Sequence, residues 1–285
     1  MPSKANQCPL PIKGEGWGEG LFLIFPYMNR INQLFANRPQ NLLSLYFCAG
    51  APTLEGTADV IRTLEKNGIN MIEIGIPFSD PMADGPVIQE AATKALRNGM
   101  TLNRLFDQLK DIRRDVQIPL ILMGYLNPVI HFGFERFCQK CVEVGIDGMI
   151  LPDLPFKDYM EEFKPVADKY DLRIIMLITP ETSEERIRFI DQNTDGFIYM
   201  VSSAAITGAQ KEFNEAKQAY FNKVHAMQLT HPTMIGFGIS NKQTLQSAQA
   251  NANGAIIGSK FVQLLDEANG DAKVSIDRLY AALEQ

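Results

Sequence analysis

Histidine, cysteine and tryptophan are all scarce in this chain, and each shortage closes off a class of chemistry. Of 285 residues only four are cysteine, three histidine and one tryptophan. So few cysteines, with no signal-peptide pattern, predict free thiols in a reducing compartment rather than a disulfide framework, and the cytoplasm is the expected location. Cys138 and Cys141 do form a C-x-x-C pair, but no second pair exists to complete a zinc cage. Both also share a helical stripe with Phe134, Phe137 and Val142, which predicts thiols packed in a core. His131, His225 and His231 are scattered and no G-x-S-x-G elbow occurs, so a Ser-His-Asp hydrolase has no support. No metal is expected.

Positive charge is in short supply as well. Lys plus Arg number 27 against 33 for Asp plus Glu, a net of -6, which leaves no electrostatic footprint for nucleic acid. Long apolar runs are missing: residues 118–130 are broken by Pro119, Gly124, Asn127 and Pro128 and fall short of the ~20 residues that cross a bilayer. No membrane partner is expected.

What is present is ample core material, with 46% hydrophobic and 21% charged residues. Residues 1–27 stand apart. They carry four Gly, four Pro and the lone Trp17, and the pattern Gly14 to Gly20 has no strand before it, so it is no nucleotide motif. This segment is expected to be a disordered, dispensable N-terminal extension, with Met28 as an alternative start and residues 28–285 as one domain.

Beyond it the chain alternates between short apolar runs and amphipathic stretches. Residues 42–48, 71–74, 120–123, 148–151, 172–178, 196–201, 233–237 and 254–257 read as eight buried strands. Between them, Val60, Ile61 and Leu64 make one helical stripe, and Leu102, Leu105, Phe106 and Leu109 another behind a Thr101 cap. Thr182 with Glu185, and Ser240 with Gln243, fit capping boxes. Gly68, Gly145 and Gly254 each stand where a helix should stop before a strand. Eight strands with intervening helices predict an α/β fold, a single (β/α)8 TIM barrel, with an open doubly wound sheet as runner-up. In a barrel the chemistry sits at the C-terminal ends of the strands.

The loop after the second strand carries the strongest chemical signal. Alternation puts Ile69, Met71, Glu73 and Gly75 on one face, with Asn70, Ile72, Ile74 and Ile76 on the other. If the isoleucine face packs on the helices, Glu73 points into the barrel mouth. Desolvation there would raise its pKa towards neutrality and make it a usable acid and base; the alternative is a glutamate paired with an interior Lys or Arg. Asp80 and Asp84 follow among Pro and Gly, either as turn and cap residues before Pro86 or as a second carboxylate that stays ionised to hold developing positive charge.

A second signal lies near the C-terminus. Gly236, Phe237, Gly238, Ile239 and Ser240 follow the seventh strand, and Gly258 with Ser259 follows the eighth. Glycines that let backbone N–H groups approach an anion at helix starts suit a phosphorylated substrate, although ordinary turn glycines would read the same way. Residues 202–210 after the sixth strand are small enough to form a lid, or simply a surface loop.

The run from Glu73 to Pro86, containing P-F-S-D-P-x-A-D-G-P at 77–86, together with Thr207, Gly208, Ala209 and both glycine turns, closely resembles the tryptophan synthase alpha subunit from about residue 30 onward. That resemblance implies a lyase of tryptophan biosynthesis that cleaves indole-3-glycerol phosphate to indole and glyceraldehyde 3-phosphate. It implies no cofactor in this chain, and a beta subunit bearing pyridoxal phosphate (PLP) as partner in an alpha2-beta2 heterotetramer. Glu73 then matches the acid-base residue and Asp84 the carboxylate that binds the indole N–H. Tyr199 matches an active-site tyrosine, Tyr125 and Phe237 the indole pocket, Thr207 the lid, and Gly208, Gly238, Gly258 and Ser259 the phosphate cradle. Ser203, Ala205 and Ala51 depart from the better-known pattern at positions that bear on closure and on contact with the beta subunit.

Overall fold

The computed structural model describes residues 28–202 and 214–285. The expected N-terminal extension, and Ser203, Ala205, Thr207 and Gly208, lie outside them. Eight parallel strands close into a barrel in chain order: β1 (Leu42–Cys48), β2 (Met71–Gly75), β3 (Leu120–Met123), β4 (Gly148–Ile150), β5 (Arg173–Ile178), β6 (Ile198–Val201), β7 (Thr233–Gly236) and β8 (Gly254–Ile257). Each predicted strand is present, with ends that differ by at most two residues. The open-sheet alternative is excluded by the pairing of β1 with β8, where Leu42 stands opposite Gly254.

Strand alternation sorts the apolar residues into two cores. Met71, Ile121, Ile150, Ile175, Tyr199, Met234 and Ile256 pack inside the barrel, while Leu45, Ile72, Ile74, Leu122, Ile174 and Ile257 pack outward among the helices. Ile69 falls in the outer core, because the chain adopts strand geometry only from Met71. Ile31 and Phe35, on the helix Arg30–Phe35, close the lower end of the interior. That helix is tied down by Asn29, whose side-chain amide donates to the carbonyls of Asp147 and Asp171 at 2.8 and 2.7 Å. Arg30 and Arg113 both pair with the buried Asp147 carboxylate, at 3.0 and 2.5 Å.

Several local expectations shift by one residue or one face. Thr101 caps Leu102–Leu109 by accepting from the Arg104 N–H. However, the cap of Glu184–Asn193 is Ser183, while the Thr182 hydroxyl accepts from Thr179 instead. After β7 the capping box is Asn241 with Thr244, one position beyond Ser240 and Gln243. Cys138 and Cys141 are buried beside Phe137 as expected, but Val142 is 49% exposed, since it lies past Cys138 at the edge of the stripe, about 100° from its centre. Gly68 and Gly145 stop their helices with positive φ, whereas Gly254 is the first residue of β8. A Cβ there would lie 2.3 Å from the Leu42 carbonyl, so Gly254 serves close strand approach rather than a turn.

Candidate active site

A cavity of about 530 Å³, counting its open mouth, lies at the C-terminal end of the barrel and is lined from β1, β2, β3, β6, β8 and the loops after β2, β7 and β8. Glu73 forms part of its floor. The residue is fully buried, and the isoleucines beside it point the other way into the helical shell. The Ser44 hydroxyl donates to one carboxylate oxygen at 3.4 Å, and the other oxygen has no partner. Among the described residues no Lys or Arg pairs with Glu73, so the ion-paired alternative is not realised. Burial pushes its pKa to about 8, against the opposing and smaller effect of the Ser44 hydrogen bond.

The two aspartates of the following loop separate by environment. Asp80 is exposed and takes a hydrogen bond from its neighbour Ser79, as a turn residue does. Asp84 is buried at the cavity wall, and neither caps the helix Pro86–Arg97, whose N-cap is Gly85. The Tyr125 hydroxyl donates to an Asp84 carboxylate oxygen at 2.9 Å and accepts from the Ala83 N–H at 2.9 Å. One phenol thereby fastens the loop after β2 to the end of β3. Burial raises the Asp84 pKa, and the Tyr125 hydrogen bond draws it back down.

Opposite these carboxyls the wall is Tyr199, Phe237, Gly238, Gly258 and Ser259. Phe237 and Gly238 have φ of 71° and 77°, an unusual conformation for a bulky residue. The Ser202 hydroxyl holds that turn by donating to the Phe237 carbonyl at 2.7 Å. Gly258 is the N-cap of Ser259–Glu267, so the free N–H groups of that helix start border the cavity and suit an anion. The turn after β7 differs from expectation in that its helix, Lys242–Asn251, begins only after Asn241.

Comparison with known proteins decides what this arrangement belongs to. The family model described as "Tryptophan synthase alpha chain" matches residues 33–285. The chain belongs to the tryptophan synthase alpha chain family. It is 71% identical to the tryptophan synthase alpha chain of Phocaeicola vulgatus over 257 residues, 90% of this chain and all of that one. It is 68% identical to that of Bacteroides fragilis, over 90% of this chain and 97% of the relative. The crystal structure of tryptophan synthase subunit alpha from Legionella pneumophila superimposes with a TM-score of 0.78 at 36% identity, covering 90% of this chain and 95% of that one. The chain is therefore a lyase of tryptophan biosynthesis, cleaving indole-3-glycerol phosphate to indole and glyceraldehyde 3-phosphate. Alpha chains of this family normally carry no cofactor of their own.

Of the positions that match the tryptophan synthase alpha chain pattern, Glu73, Asp84, Tyr199, Phe237, Gly238, Gly258 and Ser259 all line the one cavity. Tyr125 stands behind Asp84 rather than at the lining. Ala51 lies outside this cavity, beside a second one between the helices Pro86–Arg97 and Ser259–Glu267. Thr207 and Gly208 lie outside the described residues. Sequence reasoning missed Ser44, Tyr46 and Lys260, which touch Glu73 or line the cavity. A signal for the first two existed: Ser44 and Tyr46 are polar groups at alternate positions of an otherwise apolar strand, on the face that alternation turns inward. Among the described residues no three His, Cys, Asp or Glu side chains converge to hold a metal ion, and no helix is long and apolar enough to cross a membrane.

Proposed function

We propose that Glu73 performs both proton transfers of the cleavage and that Asp84 stabilises the charge that forms between them. Retro-aldol cleavage requires a proton at C3 of the indole, which puts positive charge on the ring nitrogen, and loss of a proton from the side-chain hydroxyl next to the ring. A glutamate with a pKa of about 8 is protonated at neutral pH and gives its proton to C3. The carboxylate left behind takes the hydroxyl proton as the C–C bond breaks, and neutral Glu73 is restored. Asp84, held by Tyr125, faces the developing N–H charge as a carboxylate. Tyr125 thus acts on the ring end through Asp84, while Tyr199 and Phe237 bound the space for the ring.

The phosphate is assigned to Gly238, Gly258 and Ser259, with Gly208 and the lid residue Thr207 completing the site. The whole activity is assigned to the barrel, residues 28–285. PLP is assigned to the beta subunit, and the chain is assigned to an alpha2-beta2 heterotetramer in the cytoplasm; a tryptophan synthase complex from Pyrococcus furiosus is among the structural relatives, at 31% identity and a TM-score of 0.76 over 86% of this chain and 97% of that one.

The observation that carries the mechanism is a fully buried carboxyl with no cationic partner and one oxygen unclaimed among the described residues, in the same cavity as a second carboxyl of different environment. Indole release from indole-3-glycerol phosphate by the purified chain, with and without the beta subunit, tests it. Glu73→Gln, nearly isosteric but unable to cycle a proton, is expected to lose most turnover while still binding ligand; undiminished turnover would remove Glu73 from the mechanism.

A further inference from the structure

Two tyrosines reach into the mouth of the barrel, and the fold makes the same kind of room for each. On β6, Tyr199 leans over Gly236 of β7, where a Cβ would lie 2.1 Å from the phenol oxygen; on β1, Tyr46 leans over Gly75 of β2, where a Cβ would lie 2.2 Å away. The register repeats as well. Gly236 is paired with Val201 and Gly75 with Cys48, so each tyrosine sits two positions before the residue opposite its glycine. Both side chains lie along their strand towards the rim. Tyr199 is already assigned to the ring pocket, while Tyr46 has no assigned part in the reaction.

The place of Tyr46 indicates what it meets. Its register partner on β2 is Glu73. On the β8 side, a Cβ at Gly258 would lie 3.6 Å from the Tyr46 Cβ. The phenol ring therefore stands between the acid-base carboxyl and the helix start assigned to the phosphate. A bound indole-3-glycerol phosphate must span that interval with its glycerol chain. The Tyr46 side chain is only 8% exposed and lines the cavity, yet its hydroxyl has no hydrogen-bond partner among the described residues. Its oxygen opens onto the cavity rather than being sealed in the core, so a ligand hydroxyl can take the place of water as its partner. Burial also holds it in the neutral, proton-donating form.

We infer that Tyr46 is a substrate-contacting, specificity-determining residue whose hydroxyl hydrogen-bonds the glycerol hydroxyls of indole-3-glycerol phosphate, so that the site reads the middle of the substrate as well as its two ends. This rests on the assignment of Glu73 to proton transfer and of Gly258 and Ser259 to the phosphate. The inference separates ligands that differ only in the middle. Indole-3-propanol phosphate keeps the ring and the phosphate but lacks both glycerol hydroxyls.

The experiment measures Tyr46→Phe against the unsubstituted chain with both ligands, in complex with the beta subunit. For indole-3-glycerol phosphate, kcat/KM is expected to fall about three- to tenfold, the effect of one hydrogen bond. Inhibition by indole-3-propanol phosphate should stay within about twofold. Equal weakening of both ligands marks Tyr46 as structural, and no weakening of either marks its hydroxyl as idle; each result overturns the inference. If the phenylalanine variant does not fold, Gly75→Ala, which keeps the phenol and displaces its oxygen, is read by the same ratio. Turnover that survives Glu73→Gln overturns the proton-transfer assignment, whereas an unchanged ligand ratio in Tyr46→Phe overturns only the role of Tyr46.

Discussion

Replacing Glu73 by glutamine should make the protein progressively more stable than the parent as pH rises, because the parent is strained by a proton it is reluctant to release. In the folded chain Glu73 has a pKa of about 8, against 4.5 for an ordinary glutamate. Between those values the folded state holds a proton that the unfolded chain has already lost. Folding therefore takes up a proton, and stability falls with rising pH across that window, then levels off above it. The slope for one group is about 1.4 kcal/mol per pH unit, which gives about 5 kcal/mol over the window as a ceiling. Water in the cavity mouth reduces this, and about 2–5 kcal/mol is the expected range. Glutamine matches the neutral carboxylic acid in shape and cannot ionise, so its contribution is flat. At pH 5, where Glu73 is neutral in the fold, the two proteins should differ by less than about 1 kcal/mol. Urea denaturation at intervals from pH 5 to pH 9 measures the difference. Asp84 also titrates high, but neither carboxyl is a cause of the other's displacement, so its effect cancels in the subtraction. Parallel curves for the two proteins would refute the argument, since they would mean that Glu73 is solvated or paired in the fold.

The same assignments make further predictions. The rate should follow a bell-shaped pH profile, because cleavage needs neutral Glu73 and ionised Asp84: kcat/KM falls above about pH 8, and its acid limb lies above the ordinary aspartate value of 3.8. Tyr125→Phe removes the hydrogen bond that favours ionised Asp84 and frees Ala83. The acid limb should move to higher pH and kcat/KM should drop about tenfold; an unmoved limb would show that the clamp does not act through Asp84. Lys260→Ala should raise KM for indole-3-glycerol phosphate and weaken its salt dependence with little change in kcat, measured at two ionic strengths, because the residue borders the anion-binding helix start. A chain beginning at Met28 should turn over substrate at the rate of the full chain, measured side by side.

Local rules account for how much of this protein is legible in its linear order. Buried strands need apolar residues on both faces, so β1 to β8 stand out as short apolar runs between amphipathic segments. A strand's period of two also tells which side Glu73 takes once Ile72 and Ile74 are placed on the helices. The phrase at 77–86, with its prolines and glycines, marks a loop of special shape. Helix starts are less legible: Thr182 and Ser183 are both good caps, and packing beneath the helix chooses the one that bonds Arg186.

Other properties depend on groups that approach from distant parts of the chain, and only the folded barrel settles them. Whether Glu73 meets a cation or an apolar cavity depends on side chains from several other strands, and their summed desolvation is what lifts its pKa. Asp80 and Asp84 are four residues apart and similar on paper; the Tyr125 hydroxyl, 41 positions further on, reaches one and not the other. Tyr46 has its space because Gly75, on the neighbouring strand, has no side chain. Composition and periodicity describe what each segment prefers alone, but desolvation and close approach are sums over neighbours that become adjacent only when the sheet closes.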